Sequence, residues 1–233
     1  MTIKAEIEFS KKLALSCNIL AMEGHSDITL GHVTARKTHA ENLYMKPSGL
    51  GLEEVLGDDI ILIDLEGNKL FGKRERHSEY PIHTEICKVR SDVNCVIHTH
   101  PPFSTALAAT GGSIKALSHE GVLFTNIPIF KETSELINDP ILGQKLTDTL
   151  GNNRAVLMQN HGVVVVGESI EQATVFAILL EKAAQIQFYA SSCSENTSYT
   201  PSEQIQRKIE QIYHNKNIQN FWDYYVRKLQ RNR

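Results

Sequence analysis

The chain has 233 residues, with 24 Lys and Arg against 27 Asp and Glu, and its net charge of −3 gives it no electrostatic reason to bind nucleic acid or an anionic membrane surface. A hydrophobic content of 41% and a charged content of 22% are ordinary for a soluble domain, and the length fits one sizeable core. Cys17, Cys87, Cys95 and Cys193 form no Cys-x-x-Cys pair, a usage that suits reduced thiols and a cytoplasmic location. Met1 to Phe9 carry Lys4, Glu6 and Glu8 and lack an apolar signal core. No run approaches the about 18 apolar residues of a membrane span.

Ile7, Leu13, Ile19 and Leu20 mark an N-terminal helix that Gly24 stops. Strand-like segments follow at Gly31–Lys37, Asn42–Lys46, Ile60–Leu65 and Leu70–Phe71, with a hairpin turn at Glu66-Gly67-Asn68-Lys69. Ser78 reads as an N-cap, with Pro81 in the first turn and Ile82, Ile86 and Val89 on one helical face. Val93–Ile97 predicts a strand, and Pro102 to Ala109 a helix ended by Gly111-Gly112. A strand pair over 155–166 leads into a long helix from Ser169 to about Ala190. The expected organisation is a catalytic domain over 1–192, a polar linker over 193–200 and a helical extension over 201–233, packed on the same domain or on a neighbouring subunit. Aromatics gather in that extension at Phe221, Trp222, Tyr224 and Tyr225. Strands beside one another with interspersed helices predict a layered α/β domain with a largely antiparallel sheet.

The chemistry concentrates in His98-Thr99-His100-Pro101 and Asn160-His161-Gly162. Residues two apart at a strand end face the same way, so His98 and His100 can share one ion. His161, at a turn between Ala155–Met158 and Val163–Val166, is the third candidate. Three neutral imidazoles with an open coordination position describe a catalytic divalent-metal site, zinc being favoured and manganese, cobalt or magnesium remaining open. Glu79, at a predicted helix start where the dipole favours its ionised form, can be a fourth ligand or a proton-transfer group. Glu85 reads as a solvated glutamate, and His25, His39, His83 and His214 as surface or core residues.

These residues carry a resemblance. An acidic residue opening a helix (Glu79), a His-x-His-Pro strand end and a later Asn-His-Gly, in this order, resemble the class II aldolase/adducin family over about Ser10 to Ala190. The resemblance implies a three-layer α/β/α sandwich with a mainly antiparallel central sheet, assembled as a homotetramer with sites between subunits. It also implies a divalent metal held by His98, His100 and His161, with Glu79 as ligand or acid/base.

Family members acting on sugar phosphates carry Gly-Asn and Ser-Ser where this chain has Gly31-His32 and His77-Ser78; only Ser48-Gly49 keeps the phosphate-loop pattern. Phosphate is best held by close-packed amides and small hydroxyls, so imidazoles there, with Lys46 or Arg76 nearby in sequence, suit a carboxylate. Met45–Gly51, Leu117–Gly121 and Trp222–Arg227 are similar to a branch that includes dihydroxyphthalate-type decarboxylases. The expected substrate-binding residues are His32, Ser48, Gly49, His77, Ser78 and Tyr225, the last reaching a neighbour's site.

The expected activity is a metal-dependent carbon–carbon lyase, a decarboxylase of a non-phosphorylated hydroxylated aromatic, enol or β-keto acid. Electrons left by cleavage would be held as a metal-stabilised enolate, and Glu79, or else His119, would reprotonate carbon. The alternatives are a sugar-phosphate aldolase or epimerase of the fuculose or ribulose-phosphate type, and a non-catalytic adducin-like interaction module. The latter would have no reason to keep three histidines and the acid together.

Overall fold

The computed structural model describes residues 3–38, 40–194 and 196–232; His39, expected at the surface or in the core, and Glu195 of the linker lie outside them. Short β-branched runs build one eight-stranded sheet. Its strands are β1 (His32–Ala35), β2 (Leu43–Met45), β3 (Ile61–Ile63), β4 (Lys69–Phe71), β5 (Cys95–Thr99), β6 (Ile129–Phe130), β7 (Ala155–Met158) and β8 (Gly162–Gly167). They lie in the order β4-β3-β2-β1-β5-β8-β7-β6, antiparallel throughout except for the β6–β7 pair. The expected antiparallel sheet is therefore observed, with one parallel edge.

Strands buried on both faces need two helical layers. One layer holds α1 (Ile3–Leu20), α3 (Pro102–Ala109), α5 (Ile170–Cys193), α6 (Ser202–Ile212) and α7 (Asn215–Arg231). Here Leu13, Ile19, Leu20, Val175 and Trp222 meet the sheet face carrying Val33, Ile97 and Val165. The other layer holds α2 (Tyr80–Val89) and α4 (Pro140–Leu150), with Ile82, Ile86, Leu146 and Leu150 against Val96, Val156 and Val164. The three-layer α/β/α sandwich is thus the fold. No helix among the described residues is long and apolar enough to cross a membrane.

Several local expectations need correction. Ile7 and Val89 are exposed rather than buried with their helices, because each lies at a helix end beyond the packed turns. Ser78 is exposed in a turn and does not cap α2; the N-cap is Glu79, whose side chain makes no cap hydrogen bond because it points into the protein. Glu85 is 4% exposed, held between Lys88 and Gln144, since α4 packs across α2 and covers it. Helix α4 was not foreseen, although Asp139 is its N-cap, accepting from the Ile141 amide at 2.8 Å, and Pro140 follows in the first turn. Helix α5 continues to Cys193, past the expected end. The C-terminal helices join this chain's own core through Ile218, Trp222 and Leu229.

Candidate metal centre

Strand β5 pairs with β1 on one side and β8 on the other, placing His32 opposite His98 and His98 opposite Val164. The turn from β7 into β8 carries Asn160 at φ 54, a left-handed conformation that asparagine tolerates, and this re-aims His161 across the end of β5. Gly162 follows because nothing larger fits: a Cβ there would lie 2.4 Å from His100 Cδ2 and 2.6 Å from the Thr99 carbonyl. The start of α2 brings Glu79 to the same point, where its Oε1 accepts from the Ile137 amide at 2.9 Å.

Ligand atoms of His98, His100 and His161 all lie within 4.8 Å of one another. The geometry also assigns protons. His98 Nδ1 is 3.0 Å from the Val163 carbonyl, which only accepts, so Nδ1 carries the hydrogen and Nε2 is a bare lone pair. His100 Nδ1 donates to the Asp27 carboxylate at 2.9 Å, so in the neutral ring, the form that binds a metal, its Nε2 is bare too. These two Nε2 atoms stand 3.1 Å apart. Two facing lone pairs repel, and a cation between them removes the conflict. The partners of the far ring nitrogens, a carbonyl and a carboxylate, are those that orient metal-bound imidazoles.

Glu79 faces the group: its Oε1 is 3.5 Å from His161 Nε2, and its Oε2 is 3.7 Å from His98 Nε2 and 3.6 Å from His32 Nε2. Donors around a tetrahedral ion at about 2.0–2.1 Å stand about 3.3–3.4 Å apart, so these spacings fit shared coordination better than hydrogen bonds. The residues present therefore fit a divalent ion.

Burial sets the charge states. Desolvation raises the Glu79 carboxyl above its ordinary value, opposed by the Ile137 amide; burial thus outweighs the dipole expected to favour the ionised form. Desolvation pushes His161 down to about 4 and holds His98 well below the usual histidine range, their histidine neighbours adding to it. Neutral imidazoles are the ligand form.

A second set of polar groups was not fully legible in the sequence. His32 is wholly buried on β1, its ring centroid 3.9 Å from that of His77. His83, read as an unremarkable histidine, approaches His32 Nδ1 through Nε2 at 2.6 Å and Thr34 Oγ1 through Nδ1 at 2.8 Å. Its position one turn into α2, in the helix that Glu79 starts, was the available signal. His77 is pushed down to about 4, first by burial and then by the Lys46 charge. Lys46 is itself fully buried, donates to the Thr29 carbonyl at 3.0 Å, and is pushed down to about 8 by burial. Arg76 instead stacks on the Tyr80 ring at 3.8 Å.

Ser48 and Gly49 form an exposed turn with Gly49 at φ 81, and the Ser48 amide donates to the Glu75 carbonyl. His119 and Tyr225 line a separate cavity of about 500 Å³ between α5 and the C-terminal helices, whose lining includes none of the clustered histidines. Burial raises the Tyr225 hydroxyl to about 12.

A histidine–glutamate cluster thus sits at the ends of the central strands of this α/β/α sandwich, and the chain belongs to the class II aldolase and adducin family: residues 11–188 match the Class II Aldolase and Adducin N-terminal domain. Among its relatives, 3,4-dihydroxyphthalate decarboxylase from Arthrobacter keyseri is 30% identical over 194 residues, covering 77% of this chain and 77% of that protein. The 5-methylthioribulose-1-phosphate/5-deoxyribulose-1-phosphate aldolase of Rhodospirillum rubrum is 28% identical over 184 residues, covering 79% of this chain and 81% of that protein. L-fuculose 1-phosphate aldolase from Glaciozyma antarctica PI12 has the same fold, with a TM-score of 0.87 and 23% identity over 99% of this chain and 92% of that one.

Proposed function

We propose that the protein is a divalent-metal-dependent carbon–carbon lyase, and specifically a decarboxylase of a non-phosphorylated, hydroxylated aromatic, enol or β-keto carboxylic acid. The observation that carries the metal reading is the pair of bare Nε2 atoms of His98 and His100, 3.1 Å apart beside Glu79. A divalent ion held there by His98, His100 and His161 would supply Lewis acidity for the electrons left by C–C cleavage. Glu79, with its carboxyl raised by burial, can hold a proton at Oε1 or Oε2 and deliver it to carbon.

The carboxylate preference rests on what surrounds the cluster. Where a phosphate would need free amides and hydroxyls, His32 and His77 fill the volume, and the Ser48 amide is already engaged. Both rings are held neutral, so the charge that recognises an anion is the Lys46 ammonium, and His77 Nδ1, buried without a hydrogen-bond partner among the described residues, offers a further contact. The Arthrobacter keyseri decarboxylase supports the same choice by likeness. The aldolase relatives and the exposed Ser48-Gly49 turn support the second reading, a sugar-phosphate aldolase or epimerase.

Zinc is the ion we infer from three imidazole ligands. A homotetramer is inferred from membership of this family, and Tyr225, which lines a cavity away from the cluster, is the residue we assign to a neighbouring subunit's site. Four free cysteines support a cytoplasmic location. The deciding experiment is metal analysis of the purified protein, then a parallel screen for carbon dioxide release from hydroxylated carboxylic acids and aldehyde release from sugar phosphates. Aldehyde release alone would replace the decarboxylase reading with the aldolase one.

A further inference from the structure

His32 Nε2 has no hydrogen-bond partner among the described residues, on a side chain that is 0% exposed. A buried imidazole nitrogen without a partner is costly, and its orientation needs a reason. The hydrogen bonds behind it supply the proton assignment. His83 Nε2 faces His32 Nδ1, and a Val96 carbonyl favours an N–H on the His83 ring. Placed on Nδ1, 2.8 Å from Thr34 Oγ1, that hydrogen leaves the His83 Nε2 lone pair facing His32. His83 Nε2 is then the acceptor and His32 Nδ1 the donor, which leaves His32 Nε2 as a bare lone pair. It is aimed at the Glu79 Oε2 carboxylate oxygen, 3.6 Å away and beyond hydrogen-bond distance.

The same relation, a far nitrogen tied down and a near one bare, holds for His98 and His100. Ligand atoms of His32, Glu79 and His98 also lie within 4.8 Å of one another.

We propose that His32 is a metal ligand, forming with Glu79 and His98 a second seat for the divalent ion, alternative to the seat of His98, His100 and His161. This rests on the metal reading above and extends it to a residue in the place of the phosphate-loop asparagine. The seats share His98, whose Nδ1 is committed to the Val163 carbonyl and whose Nε2 offers one lone pair, so an ion in one seat excludes an ion in the other. The protein therefore binds one ion per chain, and Glu79 can remain its ligand when His100 and His161 are not.

Cadmium binding to His100→Ala/His161→Ala, measured by chelator competition, tests this directly. The second seat predicts weakened but measurable binding in that variant, which adding His32→Ala reduces at least tenfold. An affinity unmoved by His32→Ala in that background, or no binding in it at all, overturns the second seat. The unmutated protein, loaded with cadmium-113 and labelled at the histidine ring nitrogens, provides a measurement that needs no variant to fold. Cadmium coupling at His32 Nε2 as well as His98 supports the proposal. Coupling at His98, His100 and His161 without His32 overturns it and leaves the metal reading standing, whereas coupling at no histidine ends both.

Discussion

Gly162→Ala tests whether the strand-end geometry exists to hold a metal ligand. Gly162 is not at positive φ, so alanine carries no left-handed backbone penalty there, and the effect is steric. The new methyl would sit 2.4 Å from His100 Cδ2, against an ordinary carbon–carbon contact of about 3.5–4.0 Å, so the ring must retreat by about 1 Å or more. The Thr99 carbonyl at 2.6 Å blocks the other escape, because it belongs to the β5 backbone. Overpacking of this kind costs about 1–3 kcal/mol in stability. Misaligning one ligand is expected to weaken metal binding about 10–100-fold, or about 1.4–2.7 kcal/mol. The assay is a zinc competition isotherm beside a thermal melt of the metal-free protein. Gly111→Ala is the control: it lies at φ +69 and its Cβ would meet nothing closer than 3.7 Å, so it should lose about 1 kcal/mol of stability with an unchanged isotherm. Zinc affinity of Gly162→Ala within about threefold of the unmutated protein, a difference under about 0.7 kcal/mol, would refute the reasoning.

Glu79→Gln should keep the ion, since three histidines remain, yet lose about 10²–10⁴-fold in turnover if its carboxyl moves the proton; a loss of only a few-fold would make it a spectator. Carboxylate affinity should be level near neutrality and fall as pH rises through about 8, where Lys46 loses its charge, and Lys46→Met should abolish that dependence. A fall through the ordinary histidine range instead would place the recognising charge on His77. His25 is pushed down to about 4 and His83 to about 3, both chiefly by burial. Between those values and the ordinary 6.5 the unfolded chain binds more protons, so stability rises with pH there and is lost as pH falls. The slope is about 1.4 kcal/mol per pH unit for each histidine, and a urea midpoint flat between about pH 7 and 5 would contradict it.

What the sequence determined by itself was local. Strand alternation puts His98 and His100 on one side whatever the fold, and Asn160-His161-Gly162 between two apolar runs specifies a tight turn. The layered antiparallel architecture followed from the succession of short apolar runs and helical stretches. Asp139-Pro140 shows a weaker case, since its start signal was there but the exposed face of α4 dilutes the helical periodicity.

Tertiary structure decided everything that depends on distant segments meeting. His32, His77, His83 and Lys46 come from β1, the loop before α2, α2 itself and the end of β2, and no spacing relates them. Only their joint burial makes the imidazoles neutral, raises the Glu79 carboxyl and lowers Lys46, because desolvation is a property of the surroundings and not of the residue. The same holds for Glu85, which α4 covers, and for His119 and Tyr225, which the C-terminal helices hold at another cavity.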